Sequence, residues 1–347
     1  MKVFLTGGTG FIGQALTRAL LARQWQVIAL VRNPNSPQAR SLAAMGARCL
    51  LGDVTNRESM RAAMTGADIV IHNAGMYEYG VDTAARQRMY AANVSATENV
   101  LSLALELNIP RSIHVSSVAY FGATGTAAVD ETYQRQSPYS SYYEQTKAEA
   151  HIIAQGYQQR GLPLIIVCPS QVIGANDHST FGYFQRLYVN GLLTPVAWAA
   201  DAISGFVYVD DLAEGIALAA EKGRLGETYL LTGEPMNRRD MLNLWSTRPG
   251  GFKRRVYLPS GLAKLLFAPL EPLQRMIGLP AFISREAVTA STHLHFSNAK
   301  ARRELGWQPR PARDAWIATL DGEIELLRQR KQRGLVSRLK PIEPDAR

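Results

Sequence analysis

Short apolar runs alternate with amphipathic stretches through the first half of the chain. Residues 2–6, 26–31, 48–51, 68–72, 112–116 and 164–168 read as strands. Between the first two, residues 11–23 place Ile12, Ala15, Leu16, Ala19 and Leu20 on one stripe, the spacing of a helix face. Ser36-Pro37 marks the start of a second helix, continued by residues 41–45. Residues 57–64, 87–107 and 143–160 read as further helices. Such alternation predicts an α/β fold with a doubly wound parallel sheet. Ile69-Val70-Ile71 and Ile165-Ile166-Val167 are apolar throughout, as strands covered on both faces require.

After Pro169 the alternation loosens. Residues 170–204 are rich in Gly, Asn, Tyr and Pro, and short helices with Pro breaks resume after Pro235. Between them, residues 205–223 and 229–231 read as strand, helix and strand. The expected organisation is a dinucleotide-binding domain over 1–169 completed by 205–232. A smaller substrate-binding region over 170–204 and 233–325 follows, with a basic tail over 326–347.

The chain has 347 residues, 46% hydrophobic and 19% charged, which excludes a disordered or fibrous class. Cys49 and Cys168 are too few for a disulfide framework and sit in apolar runs. The histidines and cysteines show no ligand spacing, so no metal is expected. The N-terminus lacks a charged leader followed by an apolar run, and residues 258–282 are broken by four prolines, so a cytoplasmic protein without a spanning helix is expected. Part of the net charge of +9 sits near the end, at Arg328, Arg330, Lys331, Arg333, Arg338 and Lys340. A nucleic-acid partner would need such charge on one face, so a solvated tail is the simpler reading.

Candidate chemistry begins between the first strand and helix. Thr6-Gly7-Gly8-Thr9-Gly10-Phe11-Ile12-Gly13 satisfies G-x-G-x-x-G and also G-x-x-G-x-x-G. Glycines let a pyrophosphate reach bare N–H groups at a helix N-terminus, and the flanking strand and helix supply the confirming context. Arg32 follows the second strand, where an NAD site usually places an acid; its planar fork suits a 2′-phosphate, so NADP is favoured with NAD open. The alternative is a solvent-facing arginine. Asp53 after the third strand reads either as an acceptor for the adenine amino group or as a turn residue. Asn73-Ala74-Gly75 puts small residues where a cofactor ribose would run. Asn93 is polar within an apolar helical pattern, either a site residue or a surface amide.

Tyr143 and Lys147 stand four apart on a helix, on one face. An ammonium beside a phenol favours the phenolate, fitting Tyr143 for acid/base work near neutral pH. The neighbouring Tyr142 fits the spacing less well. Ser116 and Ser117 end the fifth strand, at the carboxyl edge where ligands lie in open α/β sheets.

Taken in order, these motifs resemble the extended short-chain dehydrogenase/reductase family of the NAD-dependent epimerase/dehydratase type, nearly end to end. The glycine loop, Asp53 with Val54, His72-Asn73-Ala74-Gly75, Asn93-Val94-Ser95-Ala96-Thr97-Glu98-Asn99-Val100, Ser117 five before Gly122, the Tyr143/Lys147 pair and Pro169-Ser170-Gln171-Val172-Ile173-Gly174 carry it. Ala96 departs from the family's glycine. Dihydroflavonol-reductase-like and hopanoid-associated epimerase-like members are the most similar. The resemblance implies a Rossmann fold. It implies cofactor contacts from the glycine loop, Val54, Asn73, Ala74, Gly75, Asn93, Tyr143, Lys147 and Pro169. In the implied hydride relay, Lys147 anchors the nicotinamide ribose, Tyr143 exchanges a proton with the substrate oxygen and Ser117 holds that oxygen. It further implies a homodimer joined through residues 87–107 and 143–160, with the breadth of Val94, Val100, Leu101, Ala104 and Leu105 as partial support.

Ser204 occupies the place before the Asp-Asp strand where nucleotide-sugar members commonly carry a diphosphate-gripping arginine. Phe181, Tyr183, Phe184, Leu187, Tyr188, Leu192, Leu193 and Trp198 offer either an apolar substrate lining or a helix core. Reduction of a ketone or aldehyde on an apolar small molecule is therefore expected, with a sugar epimerase or dehydratase as the alternative. A non-catalytic sensor is disfavoured by the complete Ser-Tyr-Lys set.

Overall fold

The computed structural model describes residues 1–79, 81–193, 195–267 and 288–332. The C-terminal part of the basic tail, including Arg333, Arg338 and Lys340, and most of the proline-broken stretch lie outside the described residues. The chain runs β1 (Lys2–Thr6), α1 (Phe11–Ala22), β2 (Gln26–Val31), α2 (Pro37–Met45), β3 (Arg48–Leu51), α3 (Arg57–Met64), β4 (Ile69–His72), α4 (Thr83–Tyr90) and α5 (Ala96–Glu106). It continues with β5 (Ser112–Val115), α6 (Tyr142–Gln159), β6 (Leu164–Pro169), β7 (Gln171–Ile173), α7 (Thr180–Val189), β8 (Val196–Trp198), β9 (Ile203–Tyr208), α8 (Val209–Lys222) and β10 (Thr228–Leu231). The described elements end with β11 (Pro235–Asn237), α9 (Arg238–Trp245), β12 (Val256–Leu258), α10 (Ser260–Phe267), α11 (Ala299–Leu305) and α12 (Ala312–Gln332).

Seven parallel strands form the central sheet in the order β10-β6-β5-β4-β1-β2-β3. The order reverses between β1 and β4, opening a crevice at the carboxyl edge. One face packs Val3, Leu5, Ile71 and Val167 with Leu16 and Leu20 of α1 and Leu212 and Ile216 of α8. The other packs Phe4, Val70 and Ile166 with Met60 of α3, Val100 and Leu101 of α5 and Ala154 of α6. Each fully buried Leu or Ile contributes about 1.5–3 kcal/mol by leaving water.

Local signals explain the boundaries. Ser36 caps α2 by accepting from the Ala39 N–H, Pro37 fills its first position, and Gly46 ends it at φ +107°. Residues 87–107 do not form one uniform helix. α4 starts earlier, behind the Asp82 cap, and α4 and α5 are joined by a π-helical turn over Ala91–Ser95. The widened turn lets Asn93 leave the helix ladder's surface and reach the backbone of Met76.

The segment from 203 to 208 departs from the expected completion of the central sheet. β9 joins a separate three-stranded sheet, β11-β9-β7, and only α8 and β10 complete the large one. Gly205 and Gly233 bring these backbones together: a Cβ on Gly233 would lie 1.8 Å from the Phe206 carbonyl oxygen. Around this small sheet, Tyr188, Phe206, Trp245 and Trp316 form a core, with Trp245 and Trp316 ring centroids 5.0 Å apart. Most of the apolar run from Phe181 therefore packs inward: Tyr183, Leu187, Tyr188 and Leu193 are buried in that core, while Leu192 is exposed. They are a helix core, not an open substrate lining.

Candidate active site

The glycine loop closes over the amino end of α1. Gly7 has φ +70°, and a Cβ there would lie 2.7 Å from the Ala74 backbone. A Cβ on Gly13 would lie 2.0 Å from the Gly7 carbonyl oxygen. Gly10 is the helix N-cap and has no side chain to satisfy the first N–H groups, which leaves them for an anion. Thr9 accepts from Gln14 through its carbonyl, Phe11 packs at Gly174, and Ile12 packs against the first core. Asn73 donates to the Gly7 carbonyl at 3.3 Å, and its buried Oδ1 has no partner. Bare helix-end donors, a cradle that any Cβ would fill and an orphaned acceptor beside it fit a dinucleotide.

Arg32 is exposed at the carboxyl end of β2 and makes no ion pair among the described residues. Asp53 Oδ1 accepts from both the N–H and the hydroxyl of Thr55 at 2.8 Å, a turn contact. Val54 lies beside it, its carbonyl accepting from Asn99. Pro169 is buried at the end of β6, against Leu231 of β10.

Asn93 is buried, so the surface-amide reading fails. Its Oδ1 accepts from the Met76 N–H at 2.7 Å, and its Nδ2 donates to the Met76 carbonyl and the Thr146 hydroxyl, both at 3.0 Å. With the amide donors used, Asn93 ties the loop after β4 to α6. Gly75 shares that junction: a Cβ there would lie 3.2 Å from Asn93 Oδ1 and 4.0 Å from Lys147 Nζ.

Ser141 caps α6 by accepting from the Glu144 N–H, and buried Glu144 pairs with Arg135 at 3.1 Å. This fixes the first turn, which carries Tyr143. Ser117 neighbours the Tyr143 phenol. Ser117 also accepts from the Ala119 N–H at 3.1 Å, heading the turn after β5. Ser116 faces the other way and bonds to His151 at 2.8 Å, since successive strand residues alternate sides. Tyr142 turns toward α4, with Arg86 over its ring.

Lys147 is buried and donates to the Val115 carbonyl. Burial lowers its pKa to about 8. Burial also pushes the Tyr143 phenol above its ordinary value, opposed by neighbouring Ser117. The expected depression of the phenol by Lys147 is therefore not what this arrangement gives, because the ammonium points at a carbonyl and desolvation dominates.

Three features were given no role in the sequence reading. Tyr77 stands edge-on to Tyr143 with centroids 4.7 Å apart, and Tyr79 lies 6.5 Å away. Arg238, in the other region, donates to the Trp198 carbonyl and the Ser291 hydroxyl. Beneath the sheet edge, His72 bonds to Thr6 and Thr97, and His114 lies 5.5 Å from His72 with both ring nitrogens unpartnered. Burial lowers the pKa of His72 and of His151 to about 3. Tyr77 and Tyr79 lie two and four positions after Gly75, and that closeness was the available signal; the histidines come from β4, β5 and α6, far apart in sequence. Among the described residues, no group of three His, Cys, Asp or Glu side chains could hold a metal ion, and no helix is long and apolar enough to cross a membrane.

Comparison with known proteins agrees with this architecture. A 4-hydroxy-2-methyl-3-oxo-4-farnesyl-3,4-dihydroquinoline-1-oxide ketoreductase of Stigmatella aurantiaca is 31% identical over 324 residues, spanning 89% of this chain and 92% of that protein. A 3 beta-hydroxysteroid dehydrogenase/Delta 5-->4-isomerase of Mycobacterium tuberculosis is 27% identical, spanning 89% of this chain and 86% of that protein. The crystal structure of gox2253 superposes with a TM-score of 0.76 at 29% identity, spanning 96% of this chain and 98% of that one. Residues 3–232 match the NAD dependent epimerase/dehydratase family. With this match and its parallel sheet, the chain belongs to that family, as an oxidoreductase with the extended short-chain dehydrogenase/reductase fold.

Proposed function

We propose that the protein is an NADP-preferring carbonyl reductase, active also with NAD, that reduces a ketone or aldehyde on a largely apolar small molecule. The observation that carries this reading is the convergence of three residues: Ser117 neighbours the Tyr143 phenol, and buried Lys147, one helical turn on, lies against Gly75. The glycine loop from Gly7 to Gly13, with Val54, Asn73, Ala74, Gly75 and Pro169, holds the dinucleotide; Arg32 meets its 2′-phosphate. Asn93 acts through the Met76 loop. The bound cofactor supplies hydride. Tyr143 donates the proton that the reduced oxygen takes up, and Ser117 holds that oxygen in line. Lys147 orients the ribose and keeps a positive charge near the phenol as it loses its proton. The ketoreductase and hydroxysteroid dehydrogenase relatives act on apolar molecules of this kind, which supports the reading.

The nucleotide-sugar alternative is weaker because Ser204 is buried in β9 and hydrogen-bonded by Gln171 at 3.4 Å. It offers no grip for a diphosphate. The deciding assay adds NADPH or NADH to the purified protein with a panel of ketones and follows absorbance at 340 nm. Continuous net oxidation is expected; a retained cofactor with no net oxidation overturns the reductase reading.

The protein is further proposed to be a cytoplasmic homodimer joined through α6 and the α4–α5 helix. Val100, Leu101, Ala104, Ala148 and Ala154 do not serve that interface, since all are buried within the chain. Ile152 on α6 is 55% exposed, and a Cβ added to Gly156, one helical turn on, would meet nothing within 4 Å. An apolar residue and a bare backbone on one outward face suit close helix approach.

A further inference from the structure

We propose that Arg135 is a positioning residue for the reaction, holding the turn that carries Ser117 and the helix turn that carries Tyr143 at one fixed spacing. The inference rests on the reading of Ser117 and Tyr143 as the reacting pair. The two stand 26 positions apart and belong to different elements. Ser117 lies beyond the end of β5 and heads a single 3₁₀ turn over Val118–Tyr120, outside the ladder of the central sheet. Tyr143 is the second residue of α6. Strand pairing therefore does not by itself set the distance between them.

Arg135 lies in the connection between β5 and α6, and its guanidinium bridges the two sides. Toward Ser117, Nε donates to the Tyr120 carbonyl at 3.0 Å and Nη2 to the Ala119 carbonyl. Ala119 is also the residue whose N–H donates to Ser117 Oγ. Toward Tyr143, Nη1 and Nη2 both donate to Glu144 Oε1 at 3.1 Å. Glu144 follows Tyr143 in the chain, and its second oxygen accepts from the Ser140 N–H just before the helix. Nη1 further donates to the Ser137 carbonyl at 3.4 Å. These bonds match the five N–H donors of a guanidinium. The two side chains are only 17% and 10% exposed, so breaking the pair leaves a desolvated charge.

The chain makes room for this bridge at Gly122. That residue has φ +73°, and a Cβ there would lie 2.7 Å from Arg135 Nη1. The glycine five positions after Ser117 is thus where the guanidinium passes. A planar fork grips carbonyls on one side and a carboxylate on the other at once. The point charge of a lysine can keep the ion pair but not the span. Rates respond steeply to displacement of a reacting group, so a lost span is read in turnover.

The test places Arg135→Lys in the wild type and in Ser117→Ala, on the full chain, with NADPH and the ketone that the wild type reduces fastest. In the wild-type background kcat should fall about tenfold or more, while the dissociation constant for NADPH stays within about threefold. In the Ser117→Ala background the same substitution should cost less than about threefold, because the spacing it sets no longer matters. An equal loss in both backgrounds marks a merely structural arginine and overturns the proposal, as does an unchanged kcat. A second arm needs no turnover. With tyrosine labelled with carbon-13 at Cζ, the Tyr143 resonance is identified by its absence in Tyr143→Phe. It should move in Arg135→Lys toward its position in Ser117→Ala. A resonance unmoved by either substitution overturns the proposal. The expected movement in a protein that reduces no ketone supports the positioning and instead defeats the reductase reading. Where Arg135→Lys does not fold, Arg135→Met combined with Glu144→Leu removes both charges together and leaves neither unpaired. It should fold and give the same loss and the same movement; failure of both variants to fold assigns the pair to the fold alone and overturns the proposal.

Discussion

Lys147 Nζ donates to the Val115 carbonyl at 3.1 Å, which moors the ammonium to the end of β5 two residues before Ser117. The bond fixes where the charge sits when no cofactor shares it. It also explains why the phenol of Tyr143 is governed by burial and by Ser117, not by the lysine.

Tyr143→Phe should abolish turnover while leaving cofactor affinity nearly intact, because only the exchanged proton is lost. A residual activity within about tenfold of wild type, a loss of only ~1.4 kcal/mol of transition-state stabilisation, would remove Tyr143 from its role. Lys147→Ala should weaken cofactor binding as well, which equilibrium titration reads directly.

Arg32→Ala should reduce affinity for NADPH by about 10- to 150-fold and leave NADH nearly unchanged, the range of a charge-assisted hydrogen bond. Arg32 is exposed and engages no ion pair among the described residues, so the substitution should not disturb folding. Equal losses for both cofactors would show that Arg32 does not read the phosphate.

Ile152→Glu should convert a dimer into a monomer near 38.2 kDa in sedimentation, with little change in melting temperature. Val100→Glu would instead unfold the chain, because Val100 is fully buried against the central sheet. A wild-type protein that sediments as a monomer at micromolar concentration would end the dimer proposal.

The buried histidines should make the fold sensitive to mild acid. The pKa values of His72 and His151 are held at about 3, against an ordinary value of 6.5. Below pH 6.5 the unfolded chain therefore binds protons that the native state refuses, and stability falls as pH falls toward 3. Each should cost about 2 kcal/mol between pH 7 and pH 5. Urea melts at the two pH values check this: His72→Gln should show a shallower decline than wild type, and an identical decline would contradict it.

What the sequence made legible was whatever is local. The glycine loop and the Tyr143/Lys147 spacing each lie within one turn or one helix, and the alternation of runs is enough to order the strands. Ser117 was legible only by resemblance, since Ser116 beside it carries the same hydroxyl and the pleat decides which one faces Tyr143. Asp53 reads either as an acceptor or as a turn residue, and its Oδ1 does make the turn contacts to Thr55. His72 and His114 are 42 positions apart by number, and nothing local announces that their rings lie 5.5 Å apart. The same limit hid β9, whose apolar pattern is that of a central strand although its partners are β7 and β11.

The π-helical turn at Ala91–Ser95 also sets the phase between two halves of one rod. A helix turns about 100° per residue. Excising one residue within the turn would restore an even α-helical winding, yet rotate Met89 and Ala85, which pack beneath Tyr142 and Tyr143, by about that angle relative to Val100 and Leu101 on the sheet. Both apolar faces could then no longer dock at once. The odd residue works as a fixed gear offset, coupling the wall of the reaction crevice to the central sheet at one angular setting.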